Sequence, residues 1–155
     1  MAQGEALELL GRIPQLLTPA VVERLPSYFH GIESQGDARL WLERMVSESR
    51  LFAVTLHSTN LIIGFIFAYV ESESDTEAHI GYLLGKSYWG QGLAYELLQA
   101  FIKQANQTQG WTKLIAGVEA NNLASSRLLL KLGFAQRNAE GSVIFYEYPP
   151  FQSLS

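Results

Sequence analysis

The stretch that most constrains this chain is Gly81 to Ala105, GYLLGKSYWGQGLAYELLQAFIKQA. An apolar, strand-like run from Ile80 to Leu84 enters a short loop carrying Gly90-Gln91-Gly92. Apolar residues then recur at helical spacing: Leu93, Ala94, Leu97, Leu98, Phe101, Ile102 and Ala105. Strand, glycine turn and helix in that order build an anion site. The first N–H groups of a helix have no partner within it, and the helix macrodipole places positive potential at that end. Glycine has no Cβ, so the backbone can turn sharply and come close to a ligand. A plain strand-to-helix turn needs one glycine. Two, flanking Gln91 at a helix start, point to a bound pyrophosphate.

The other properties of the chain narrow the class. A chain of 155 residues reads as one domain, 1–155, able to bury roughly 68–70% of its unfolded surface. Hydrophobic content of 48% and charged content of 17% are ordinary for a globular protein. No run of ~18 apolar residues marks a membrane span. The N-terminal MAQGEALELLGRIPQ lacks the basic-then-apolar order of a signal peptide, so a cytoplasmic protein is expected. With no cysteine, disulfides, thiol nucleophiles and Cys-ligated metals are excluded. A net charge of −4 argues against a nucleic-acid groove and mildly favours a cationic partner such as an amine.

Residues Met1 to Ser49 read as mostly helical. Ala6 to Leu10 is compatible with a short strand or a first helix. Thr18-Pro19 starts a helix, with Thr18 as N-cap, and Pro26 stops it. Ser34 to Gly36 reads as a turn, and Asp37 as the cap of a helix carrying Leu40, Trp41, Met45 and Val46. From Leu51 the period changes. Leu51–Leu56 and Leu61–Val70 form a hairpin, Glu71–Thr76 a polar connection, and Glu77–Leu84 a third strand, antiparallel to the second. The helix after Gly92 ends near Asn106–Gly110. Lys113–Val118 is a nearly unbroken apolar run, suited to a strand covered on both faces and to a βαβ crossover. Asn121 or Asn122 caps a last helix with Leu128, Leu129 and Leu132, which ends at Gly133. Ala135–Ser142 and Val143–Tyr148 form a closing hairpin before Pro149-Pro150. The expected class is α/β with a mixed sheet led by antiparallel strands.

Several familiar motifs are excluded by their spacing. Gly85-Lys86-Ser87 is no phosphate-binding P-loop, because Ile80 stands where the first glycine must be. A dinucleotide fingerprint needs a glycine at position 95, which is Tyr95. There is no G-x-S-x-G elbow and no pair of histidines at metal-ligand spacing, so no metal is expected.

What remains is the ordered set IGYLL, YWGQGLA and NLASSRLLLKLGF. This set resembles the GNAT superfamily of acyl-CoA N-acetyltransferases, and within it the ribosomal-protein N-terminal acetyltransferase branch (RimJ/RimL type). The match covers Glu77 to Phe134 closely. The resemblance implies a GNAT-like fold: a mixed, mostly antiparallel central sheet with helices on both faces and one βαβ crossover. It also implies that Trp89, Gly90, Gln91, Gly92, Leu93 and Ala94 form the pyrophosphate loop of acetyl-CoA, the co-substrate. Tyr82, Leu83 and Leu84 fall where the pantetheine arm pairs with backbone. Asn122 and Ser125 fall where the last helix contacts that arm. The implied acetyl-CoA site is the opening between Glu77–Leu84 and Lys113–Val118. One departure stands out. Many GNAT enzymes place a tyrosine in the last helix to protonate the leaving thiolate, and that position is Leu129. A thiol with pKa ~8.5 is a tolerable leaving group near neutral pH without such an acid.

Transfer to an amine requires a neutral nitrogen. An α-amino group with pKa ~8 needs less help than a lysine with pKa ~10.4. Strand alternation puts Glu77, His79 and Gly81 on one face. His79, of the residue type that titrates near neutrality, and Glu77 are the candidate general bases. Both are also compatible with simple solvent exposure at a strand's start. Tyr82 and Trp89 read as packing residues as readily as functional ones, and Asn122 is needed as a cap with or without a ligand. Lys86, Arg127 and Lys131 read as solvated charge. The expected activity is acetyl transfer from acetyl-CoA to a primary amine, a protein N-terminus or a small molecule. The rival is a GNAT-fold module that binds acyl-CoA without turnover. Oligomeric state leaves no trace in the sequence.

Overall fold

The computed structural model describes residues 3–71 and 76–149. In chain order the helices are α1 (Gln3–Leu16), α2 (Pro19–Val22), α3 (Gln35–Glu48), α4 (Leu93–Gln109) and α5 (Leu123–Lys131). The strands are β1 (Arg50–Leu56), β2 (Leu61–Tyr69), β3 (Glu77–Leu84), β4 (Lys113–Glu119), β5 (Ala135–Glu140) and β6 (Val143–Tyr148). They form one six-stranded sheet in the order β1-β2-β3-β4-β6-β5. β3 and β4 are parallel, joined by α4, which is the expected βαβ unit. The β4/β6 and β5/β6 pairs are antiparallel. The mixed α/β class expected of the sequence is the class observed.

The chain packs as two compact units, 1–67 with 82–91, and 68–81 with 92–155. The first unit is built on α1 and α3. Leu10, Ile13, Leu16 and Leu17 are buried at helical spacing, which settles the N-terminal segment as helix. Pro14 lies inside that helix, so the segment carries a helix-breaking signal that its apolar period overrides. An aromatic cluster fills the core. Phe29 packs at a tilt on Phe67 and meets Trp41 edge-on, and Trp41 meets Phe65 edge-on, with centroids 5.2, 5.7 and 5.4 Å apart.

The cap of α3 differs from expectation. Ser34 is the N-cap, Gln35 and Gly36 are already helical, and Asp37 closes a capping box from the third helical position. Asp37 accepts from the backbone N–H groups of Glu33 and Ser34, and these bonds hold its carboxyl below the ordinary carboxylate range. Leu40 and Val46 are exposed, leaving Ala38, Trp41 and Met45 as the buried stripe. Thr18 adopts the extended N-cap conformation of α2 but makes no capping bond through its side chain.

In the second unit α4 buries Leu98 and Ala105, with Leu93, Ala94, Leu97, Phe101 and Ile102 half-buried, as the period requires. β4 is buried at Leu114, Ile115, Ala116 and Val118, with Gly117 exposed between. Asn122, of the two candidates, is the N-cap of α5, and its side chain accepts from the Ser125 N–H. β5 ends at Glu140, two residues short of expectation, and β6 lies between it and β4. Of the connection expected at Glu71–Thr76, residues 72–75 lie outside the described residues, as does Pro150.

One contact fixes how closely β2 lies on β3 within the first unit. A Cβ added to Gly64 would stand 2.1 Å from the Leu83 carbonyl oxygen and 2.9 Å from Leu84 Cδ2. Gly64→Ala must push the strands apart and is expected to cost about 2–3 kcal/mol as overpacking. Urea denaturation checks this: the midpoint falls while the m-value holds.

Candidate active site: a glycine loop and a charged sheet face

The loop between β3 and α4 is shaped by its own side chains. β3 ends at Leu84, and the Gly85 N–H donates to the Ile63 carbonyl on β2 at 2.8 Å. Backbone groups alternate in direction along a strand, so the Leu84 carbonyl faces away from β2. The Trp89 indole N–H donates to that carbonyl at 2.9 Å. A single 3₁₀ turn, Lys86–Tyr88, separates the two residues. Gln91 Nε2 then donates back to the Ser87 carbonyl at 2.9 Å. The Trp89 ring is 45% exposed, so its N–H is anchored while much of its surface stays open.

Gly90 and Gly92 sit at φ +72° and +77°, the left-handed region that a side chain disfavours. No atom lies within 4 Å of where a Cβ on either would stand. These glycines are therefore required by conformation and not by crowding, and the space beside them is open. The first N–H of α4 with a backbone acceptor is that of Glu96, which donates to the Gly92 carbonyl at 3.2 Å. The N–H groups of Gly92, Leu93, Ala94 and Tyr95 have no acceptor among the described residues. Unpartnered donors at a helix N-terminus, backed by the helix dipole, fit an anion.

The β3/β4 register runs from Glu77↔Lys113 to Ile80↔Ala116, and β3 continues four residues past the last pair, to Leu84. Tyr82 is half-buried, whereas Leu83 and Leu84 are buried. Asn122 and Ser125 are both half-buried and are joined by the capping bond at 3.4 Å. Leu129 is 2% exposed, a core residue of α5 with no polar role.

The second unit carries the candidate bases. Residues paired across a sheet share a face, so the register puts Glu77, His79, Lys113, Ile115 and Glu147 on one face. His79 Nε2 lies 3.9 Å from Glu77 Oε1. The same carboxylate oxygen lies 3.6 Å from an Arg137 guanidinium nitrogen. Arg137 stands where the β5/β6 register shifts, and such an irregularity re-aims a side chain. Lys113 Nζ lies 3.0 Å from Glu147 Oε2 without hydrogen-bond alignment, so charge alone holds that buried oxygen among the described residues. The Glu77 pairs are 41–51% exposed and contribute little to stability.

His79 and Glu77 thus come together as strand alternation expects, with Arg137 as a third member that no local pattern announced. Arg137 is 60 positions from Glu77 in the chain, and a lone arginine in a polar hairpin carries no local signal. Among the described residues no group of three His, Cys, Asp or Glu side chains could hold a metal. None of the described helices is long and apolar enough to cross a membrane.

The acetyltransferase (GNAT) domain family matches residues 10–135, so the chain belongs to that family. Among curated relatives it is 30% identical over 100 residues to the uncharacterized N-acetyltransferase p20 of Bacillus licheniformis, covering 64% of this chain and 54% of that protein. It is 34% identical over 68 residues to the ribosomal protein uS5-alanine N-acetyltransferase of Escherichia coli (strain K12), covering 44% and 35%. The chain thus spans about half the length of the first curated relatives it matches. Among solved structures it is similar to RimL, a ribosomal L7/L12 alpha-N-protein acetyltransferase in complex with coenzyme A. That likeness has a TM-score of 0.73 at 19% identity, over 92% of this chain and 86% of that one, and it bears on the fold.

Replacing Gly92 by alanine meets no atom but forces a left-handed backbone on a side chain, at about 1–2 kcal/mol. Calorimetry is expected to show a fall in Tm of roughly 2–8 °C for Gly92→Ala. Gly92→Asn, a residue that tolerates this conformation, falls less.

Proposed function

We propose that residues 1–155 form a single acetyltransferase domain that moves an acetyl group from acetyl-CoA to a primary amine. The observation that carries the reading is the run of N–H groups from Gly92 to Tyr95 without acceptors among the described residues, set by left-handed glycines at the start of α4. In this reading the amides of Gln91 to Ala94 donate to the diphosphate, and Tyr82 to Leu84 pair with the pantetheine arm. Asn122 and Ser125 contact that arm from α5. Bound acetyl-CoA supplies a thioester whose carbonyl carbon gains a bond to the amine nitrogen as its C–S bond breaks, releasing CoA as thiolate.

The protein's share is orientation and proton transfer. A backbone N–H of the Tyr82–Leu84 segment donates to the thioester oxygen as negative charge builds on it. His79 takes the proton that the amine loses, directly or through one water. Glu77 faces both His79 and Arg137, so it orients the imidazole and accepts charge while Arg137 holds it in place. Leu129 offers no acid, so the thiolate leaves as such and takes its proton from water.

The acceptor proposed is a protein α-amino group. The uS5-alanine enzyme and the L7/L12 alpha-N-protein enzyme are named for such acceptors. An α-amine also suits a single weak base better than lysine does. The net charge of −4 mildly favours a cationic acceptor.

The test is an acetylation assay over peptides of varied N-terminal residue, with polyamines and other small amines alongside, following thiol release from acetyl-CoA. Turnover with a subset of peptides is expected. His79→Ala should lower kcat by roughly 10-fold or more, and Glu77→Ala by a smaller factor. Tight CoA binding with no thiol release from any amine would replace the enzyme by a binding module. Turnover indifferent to both substitutions would remove the proposed base.

A further inference from the structure

Two residues on one face of α1 meet the turn that leads into the glycine loop. Arg12 and Leu16 are four residues apart, so the helix sets them side by side. Leu16 is buried against Gly85, where an added Cβ would stand 2.7 Å from Leu16 Cδ2. Arg12, one turn earlier, divides its guanidinium among three acceptors. Nε donates to the Ile62 carbonyl on β2 at 2.7 Å. One terminal nitrogen donates to Gln15 Oε1 at 2.9 Å, and the other to the Tyr88 hydroxyl oxygen at 2.9 Å. The planar guanidinium presents these donors in a fixed fork, so its three bonds set one geometry together. Tyr88 immediately precedes Trp89, whose own tie to Leu84 continues the brace toward Gly90.

We propose that Arg12 is a positioning residue for diphosphate binding. Through the Tyr88 hydroxyl it fixes the start of the glycine loop, so the loop's amides are arranged before a ligand arrives. The proposal rests on the reading of that loop as the pyrophosphate site. Its physical basis is preorganisation. A loop ordered on folding loses no further freedom on binding, whereas a slack loop must be ordered at the expense of affinity. Arg12 acts at the loop's entry through Tyr88, so its effect is confined to ligands that carry a diphosphate.

The experiment compares coenzyme A with pantetheine, which keeps the thiol arm and lacks the diphosphate and nucleotide. Both are titrated by NMR, which reads millimolar affinities, into the full chain and into Arg12→Gln and Tyr88→Phe. The wild type should bind coenzyme A far more tightly than pantetheine. Each variant should weaken coenzyme A roughly 5- to 10-fold, the scale of one ordinary hydrogen bond, and leave pantetheine unchanged. A variant that weakens both ligands equally, or neither, overturns the role of Arg12 while the loop reading stands. A wild type that does not prefer coenzyme A over pantetheine overturns the loop reading, and this proposal with it. Should Arg12→Gln not fold, Tyr88→Phe removes only the hydroxyl and decides the matter alone.

Discussion

A helix must begin somewhere, and its first N–H groups need acceptors that the helix cannot supply. In α3 and α5 the protein supplies them itself, through Ser34 with Asp37 and through Asn122. In α4 no such cap is present among the described residues. Leu93 follows Gly92 directly, and the amides of the first turn point to no acceptor within the described chain. Much of the local structure serves to hold that arrangement open. Glycines at φ +72° and +77° turn the chain, Trp89 fastens it to the end of β3, and Gln91 folds back on Ser87. A helix start of this kind, at a loop tied back on itself, leaves amide donors open to an anion, and the proposed diphosphate site rests on that.

The charged face of the second unit follows a different logic. Exposed ion pairs contribute little to stability, and Glu77 with His79 and Arg137 is such a group. The Lys113–Glu147 pair is more costly to disturb. Glu147 is 8% exposed, and loss of Lys113 would leave a buried carboxylate without a counter-charge. The exposed group and the buried pair lie on the same sheet face, with Lys113 directly opposite Glu77. That placement follows from the register, because Ile115 opposes both His79 and Glu147.

Much of this was legible in the sequence, for reasons that can be stated. α4 was readable because its apolar residues keep the helical period over many turns, and β4 because it is nearly all apolar. The turn at Gly90–Gly92 was readable because glycine is the residue that takes the left-handed backbone found at both positions. The N-terminal helix was ambiguous because Pro14 opposes a period that tertiary burial enforces. The cap of α3 was misplaced because Ser34 and Asp37 both suit an N-cap, and only the backbone angles decide between them. Arg12 and Arg137 were not legible at all. Their partners, Tyr88 and Glu77, lie far away in the chain, and no local periodicity encodes a contact of that kind.

We propose that the backbone amides from Gln91 to Ala94 hold a diphosphate. Amide-resolved hydrogen exchange with and without coenzyme A tests it most directly. The account predicts that exchange at these residues slows at stoichiometric coenzyme A and is unaffected by pantetheine. Unchanged exchange through Gln91–Ala94 in a sample saturated with coenzyme A would contradict it.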